Sequence, residues 1–238
     1  MKKILFLISF YLVFLSFSSC AEKEVIKKLE SKTSLSVLIH ESMGKNPILL
    51  FIKNDDCGAC KIFYNYVDSN FEALILPKLS ENTEVYQVSI NDFNNKNMWL
   101  FHVLEGYSFP TVLYIDKYNN IKNIHKGADL YAFTNFLNKI GHESDRDLIL
   151  NNFKKESLLL KSYIALKEDH VVSKSNFAEI SKINHKSAGF MSALLEGYYY
   201  KYNKVHTERI LYIKDLLKKN MNNSNQYFKI HQNLVEEL

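Results

Sequence analysis

The sequence predicts an α/β fold, a central mixed sheet flanked by helices, with an all-α C-terminal region behind it. Three observations carry this prediction. Ile48 to Ile52 is an unbroken apolar run bounded by turn signals, which suits a strand buried on both faces. Two further β-rich runs, Glu84 to Ile90 and Thr111 to Ile115, alternate with helix-compatible stretches. After Ile140-Gly141 the chain turns to helical segments without proline.

Residues 1–19 read as a secretory signal. Lys2 and Lys3 form a positive n-region, Ile4 to Phe17 is an almost unbroken apolar run, and Ser18, Ser19 and Cys20 follow as a small-residue cleavage region. The run is shorter than the roughly 20 residues of a transmembrane helix. Phe17-Ser18-Ser19-Cys20 resembles a bacterial lipobox, with Phe17 where Leu is usual. That resemblance implies cleavage before Cys20 and a lipid on its sulfur, and two acyl chains would anchor the protein to a membrane. A plain signal peptide with an incidental cysteine and an uncleaved anchor are the alternatives. Ala21, where inner-membrane lipoproteins carry Asp, implies outer-membrane sorting by the same resemblance. The expected location is therefore the cell envelope, lipid-anchored and periplasm-facing or in the outer membrane. Residues 20–34 are charged with weak helical periodicity, and read as a tether or a first helix.

The next elements follow in order. Leu35 to Met43 reads as a helix ended by Gly44, and Asn46-Pro47 marks a break before the apolar strand. Asn54-Asp55-Asp56-Cys57-Gly58-Ala59-Cys60 leads into a helix through Val67. Asn97 to Leu104 reads as a helix that includes Trp99, assigned to the core. Asn119-Asn120 is a hairpin signal between the strands Thr111–Ile115 and Ile121–His125. Ala128 to Ile140 is an amphipathic helix with Leu130, Phe133, Phe136, Leu137 and Ile140 on one side.

The chain has three cysteines: Cys20, Cys57 and Cys60. With Cys20 lipidated, Cys57 and Cys60 are left to pair in an oxidising compartment. A bridge over two residues closes a very small loop and adds little chain-entropy stabilisation, which favours a chemical role. An inert disulfide and half of a metal site are the alternatives. Zinc needs four ligands, and the sequence shows neither a second Cys pair nor a nearby His pair; Lys61 after Cys60 also excludes a CxxCH haem motif.

Residues 35–141 resemble the thioredoxin-like family. The resemblance rests on a CxxC opening a helix after a buried strand, a Phe109-Pro110-Thr111 step before the penultimate strand, and Gly127 before the last helix. It implies that Cys57 is the nucleophile and Cys60 the resolving thiol, with no cofactor beyond their redox-active disulfide. It also implies that Pro110 is the family's cis-proline, and that Phe109, Pro110, Gly58 and Ala59 line a groove for protein thiols and disulfides. An ordinary trans Pro110 is the alternative. Gly58 and Ala59 are small and neutral, where strongly oxidising relatives carry a His. Asp55 and Asp56 either raise the Cys57 pKa as nearby like charges or cap the helix. Together these features predict a pair nearer a reductant or isomerase than a strong oxidase. Phe51 stands where cytoplasmic thioredoxin has a buried Asp that helps move a proton from the resolving Cys. Lys53 is either an electrostatic substitute or a solvated strand-end residue.

Composition excludes other classes. Apolar residues make up 47% and charged residues 24%, a globular balance. The net charge of +4 lacks a long basic run, so no nucleic-acid footprint is present. The eight His are scattered without H-x-x-x-H spacing, and no metal site is assigned. Residues 142–238 read as helices at about 145–167, 175–183, 186–202, 205–220 and 224–237, with a break at Asn222-Asn223-Ser224. Tyr198, Tyr199, Tyr200 and Tyr202 are too dense for one helical stripe, so the reading is either packing against the preceding domain or a partner-binding surface. Two functions follow: an exported thiol–disulfide oxidoreductase acting on envelope proteins, or a non-catalytic module whose helical region recognises a partner.

Overall fold

The computed structural model describes residues 26–29, 33–80, 82–91, 96–106, 108–141, 152–222 and 231–238. The signal segment, Cys20 and part of the 222–224 break lie outside them. Five strands form one mixed sheet in the order β1-β3-β2-β4-β5: β1 (Ile26–Leu29), β2 (Ile48–Lys53), β3 (Glu84–Ser89), β4 (Thr111–Ile115) and β5 (Ile121–Lys126). β1, β3 and β2 run parallel; β4 and β5 are antiparallel to their neighbours.

Central β2 is the strand that the apolar run predicts. Ile48, Leu49, Leu50, Phe51 and Ile52 are each 1% exposed or less, so both faces must be covered. Helices α2 (Gly58–Asn70) and α4 (Leu130–Gly141) cover one face. Their Cys60, Phe63, Val67, Phe133 and Phe136 pack with Leu49 and Phe51. Helices α1 (Leu35–Ser42) and α3 (Trp99–Val103) cover the other. Asn97 joins these two: its Oδ1 accepts from the Leu35 N–H (2.9 Å) and its Nδ2 donates to the Thr33 carbonyl (2.7 Å). The β4–β5 hairpin turns where expected, with Asn119 at φ +58° and Asp116 Oδ1 accepting from the N–H groups of Tyr118 and Asn120.

One element differs from expectation. The stretch read as a tether or helix contains strand β1, paired parallel with β3. Ile26 and Leu29 are three residues apart, a helical spacing. In a strand the same spacing sends them to opposite faces, where each joins a different core cluster. Lys27 bonds Glu84 (3.1 Å) at the sheet edge.

The C-terminal region is helical: α5 (Lys154–Ile164), continued by a π turn over Ala165–Asp169, then α6 (Lys174–Ile180), α7 (Ala188–Tyr202), α8 (Thr207–Asn222) and α9 (Gln232–Glu237). It packs on the α1/α3 face, and a single apolar cluster runs from Leu35 through Trp99 to Leu160, Leu194 and Val235. Tyr163 of α5 stacks on Trp99, with centroids 4.2 Å apart. In the tyrosine cluster, Tyr198 is buried in this apolar cluster and donates to the Leu234 carbonyl, Tyr199 meets Phe177, and Tyr202 is exposed. At Gly197 an added Cβ would meet the Leu238 side-chain tip at 2.9 Å, so α7 and the C-terminal residue approach closely there. Among the described residues no helix is long and apolar enough to cross a membrane.

Buried histidines cross this interface. His102 Nδ1 and His231 Nε2 share a hydrogen bond (2.9 Å), and both residues are buried. Burial, then the neighbouring His185, pushes the His102 pKa down to about 4. Burial, then His102 and Lys167, pushes His231 well below its ordinary value. Both rings are therefore neutral when folded, while in the unfolded chain they titrate near 6.5. As pH falls below about 6.5 the unfolded chain takes up protons that the folded chain refuses, so stability falls. Denaturant titrations should show stability dropping between pH 6.5 and 5, with a slope that steepens toward at most about 1.4 kcal/mol per pH unit for each such histidine. His231→Gln should flatten that slope.

Candidate functional site

The site forms where β2 passes into α2. The turn between them is closed by its own polar groups: the Cys57 N–H donates to the Asn54 carbonyl (3.2 Å), and the Asp56 N–H donates to Asn54 Oδ1 (2.8 Å). Cys57 is the N-cap of α2. Its sulfur accepts from the Cys60 N–H at 3.1 Å, in the role that a Ser or Asp oxygen usually fills. A negative charge on this sulfur would be stabilised by that donor and by the positive end of the helix dipole. Cys57 and Cys60 are joined as a disulfide, with Cα atoms 5.2 Å apart.

The two sulfurs have unequal surroundings. Cys57 is half-buried, and Gly58 and Ala59 beside it are exposed. Cys60 is 1% exposed and packs in the cluster of Phe51, Phe63 and Phe133. Phe51 meets Tyr64 and Phe133 edge-on. Among the described residues no Asp or Glu is buried, so the cluster around Cys60 has no buried carboxylate to move its proton. His125, which the sequence reading left unassigned, lies in the same cross-sheet row as Phe51, through Val112. It stacks on Phe63, and burial lowers its pKa. A lone His in a β-run has no motif to mark it.

The acidic pair before Cys57 does not cap α2, because the cysteine itself does. Asp55 instead clamps the turn to the end of β3. Its N–H donates to Asn91 Oδ1 (2.8 Å), and its Oδ2 accepts from Asn91 Nδ2 (2.7 Å). Lys53 Nζ lies 3.1 Å from its Oδ1. Hydrogen bonds from Ser89 and Asn91, then Lys53, hold the Asp55 carboxyl down to about 2. Lys53 is thus partnered by Asp55, and Asp56 is exposed.

Opposite Cys57 stands the loop before β4. The Phe109–Pro110 peptide is cis, and the Phe109 carbonyl oxygen lies 3.8 Å from Cys57 Sγ. Pro110 is buried and its carbonyl accepts from the Gly127 N–H (2.8 Å). The half-buried Phe109 ring meets Phe101 of α3 edge-on, at 5.2 Å. Three sequence landmarks, CxxC, Phe109-Pro110 and Gly127, therefore converge at one end of the sheet.

The fold is thioredoxin-like.

Among solved structures the chain is similar to the short form of spinach chloroplast thioredoxin f, at 14% identity over 49% of this chain and 94% of that one, with a TM-score of 0.38. It is similar to Fasciola hepatica thioredoxin at 18% identity over 48% and 97%, with a TM-score of 0.35. Chlamydomonas reinhardtii thioredoxin f2 aligns at 18% identity over 48% and 94%, with a TM-score of 0.34. No protein-family model matches the chain and no curated protein matches its sequence. Among the described residues, no group of three or more His, Cys, Asp or Glu is placed to hold a metal.

Asp55→Asn removes a negative charge two residues before Cys57 and frees Lys53. Both changes favour the thiolate, so the Cys57 pKa should fall by up to about one unit. Thiolate absorbance against pH on the reduced protein checks this; a rise would contradict it.

Proposed function

We propose that this protein is an exported thiol–disulfide oxidoreductase that exchanges disulfides with envelope proteins. The observation that carries the proposal is the asymmetry of the pair: a reachable sulfur on a helix N-terminus with its partner sheltered behind it. Export and lipid attachment at Cys20 rest on the N-terminal sequence pattern.

In the reducing direction, the Cys57 thiolate attacks one sulfur of a substrate disulfide. That S–S bond breaks, a mixed disulfide forms, and one substrate thiolate leaves and takes a proton from solvent. Cys60 then loses its proton and attacks Cys57 Sγ, which releases the second substrate thiolate. The substrate gains two electrons and the Cys57–Cys60 pair loses them. A thiol reductant restores the pair, and the reverse sequence oxidises a substrate dithiol. The Cys60 N–H stabilises the negative charge of the attacking Cys57 thiolate. Gly58 and Ala59 leave the sulfur open to a large substrate, and Phe109 and Pro110 form the opposite wall.

The aromatic Phe51 behind Cys60 and the large helical region favour a second reading, a binding module in which the disulfide is idle. Trapping separates the two. Cys60→Ser, which can attack but not resolve, should accumulate mixed disulfides with envelope proteins, seen as higher-mass bands lost on reduction. Cys57→Ser should accumulate none. Partner binding that survives Cys57→Ser unchanged, with no trapped species in Cys60→Ser, would favour the binding module.

A further inference from the structure

Helix α3 has only five residues, and the last carbonyls of a helix lack partners within it. Here three successive carbonyls at its C-terminal end are met by side chains from elsewhere. Ser187 Oγ donates to the His102 carbonyl (3.1 Å) and His185 Nε2 to the Val103 carbonyl (3.0 Å). Lys126 Nζ, from β5, donates to the Leu104 carbonyl (2.6 Å). The Lys186 N–H adds a bond to Glu105 Oε1 (3.0 Å). A three-residue segment ahead of α7 thus grips the end of α3.

The His185 side chain is fully buried, and its hydrogen bonds define its state. Nδ1 accepts from the Ser187 N–H (3.1 Å), so the ring proton is on Nε2 and is given to Val103. Nδ1 also lies 3.7 Å from Glu105 Oε1.

Beyond this grip the chain bends sharply. Glu105 and Gly106 have φ of +55° and +146°, and Phe109, three residues on in the sequence, lies beside the Cys57 sulfur. The Phe101–Phe109 ring contact ties α3 to the same wall. We propose that His185, helped by Ser187, is a positioning residue for the disulfide site: it holds the end of α3 and so fixes the Phe109 wall against which a protein substrate lies. This rests on the oxidoreductase reading above and assigns the helical region a part in it. A protein disulfide must lie across both walls, whereas a small disulfide needs only Cys57.

The test uses the full chain with His185→Leu, His185→Gln and Ser187→Ala. Three readouts apply: insulin reduction with dithiothreitol, reaction with the small disulfide dithiobis(nitrobenzoate), and hydrogen exchange in the loop from Leu104 to Phe109. His185→Leu should raise KM for insulin about fivefold, the factor that one net hydrogen bond represents. Its kcat and its small-disulfide rate should stay within about twofold of the parent, the pattern of lost binding rather than lost chemistry. Exchange in the loop should quicken. His185→Gln keeps an N–H donor and should restore most of the KM. Ser187→Ala should raise KM about twofold to threefold, and decides the matter if the His185 variant does not fold. Unchanged KM and unchanged exchange would overturn the proposal, as would equal loss with both substrates. A parent protein that reduces neither substrate would overturn the oxidoreductase reading, while loop exchange in the variants would still decide whether His185 positions the wall.

Discussion

The burial of β2 on both faces is the constraint from which the rest of the structure follows. Five consecutive side chains, Ile48 to Ile52, are withdrawn from water, and each contributes about 1.5–3 kcal/mol only if its face is covered. A strand of this kind must be followed closely by a helix that returns over one face. The turn available is Asn54 to Asp56, so Cys57 stands at once at the strand's end and the helix's start. The opposite face needs more cover than α1 and five-residue α3 provide. The C-terminal helices supply it, and the core of the sheet continues into them.

The electrostatics of the site are balanced. The α2 N-terminus and the Cys60 N–H favour charge on Cys57. Asp55 opposes it, yet its own charge is tied up by Lys53, Ser89 and Asn91. Its first task is mechanical: the paired bonds to Asn91 fasten the CxxC turn to β3. Behind the pair, Phe51 and Phe133 meet edge-on in the cluster that shelters Cys60, and His125 stacks on Phe63 nearby.

Most of the sheet and the site were legible because local pattern and tertiary role agree there. Ile48–Ile52 is apolar throughout because it is buried throughout, and Cys57-Gly58-Ala59-Cys60 is compact because a helix starts on it. β1 was not legible, since the i, i+3 spacing of Ile26 and Leu29 mimics a helix and only pairing with β3 reveals a strand. Of the two roles open to the acidic pair, capping is taken by Cys57 itself, and the Asn91 that holds Asp55 lies 36 residues away, just past β3. His185 and His231 carried no signal either. Their partners, Val103 and His102, lie 82 and 129 residues distant, and a single sequence has no pattern that joins such positions.

The most direct measurement is the redox equilibrium of the Cys57–Cys60 pair against defined ratios of reduced and oxidised glutathione. A reversible two-electron couple is expected, with a potential nearer the roughly −270 mV of thioredoxin than the roughly −120 mV of a strong oxidase. A pair that stays locked in one state at every ratio would contradict a redox-active site.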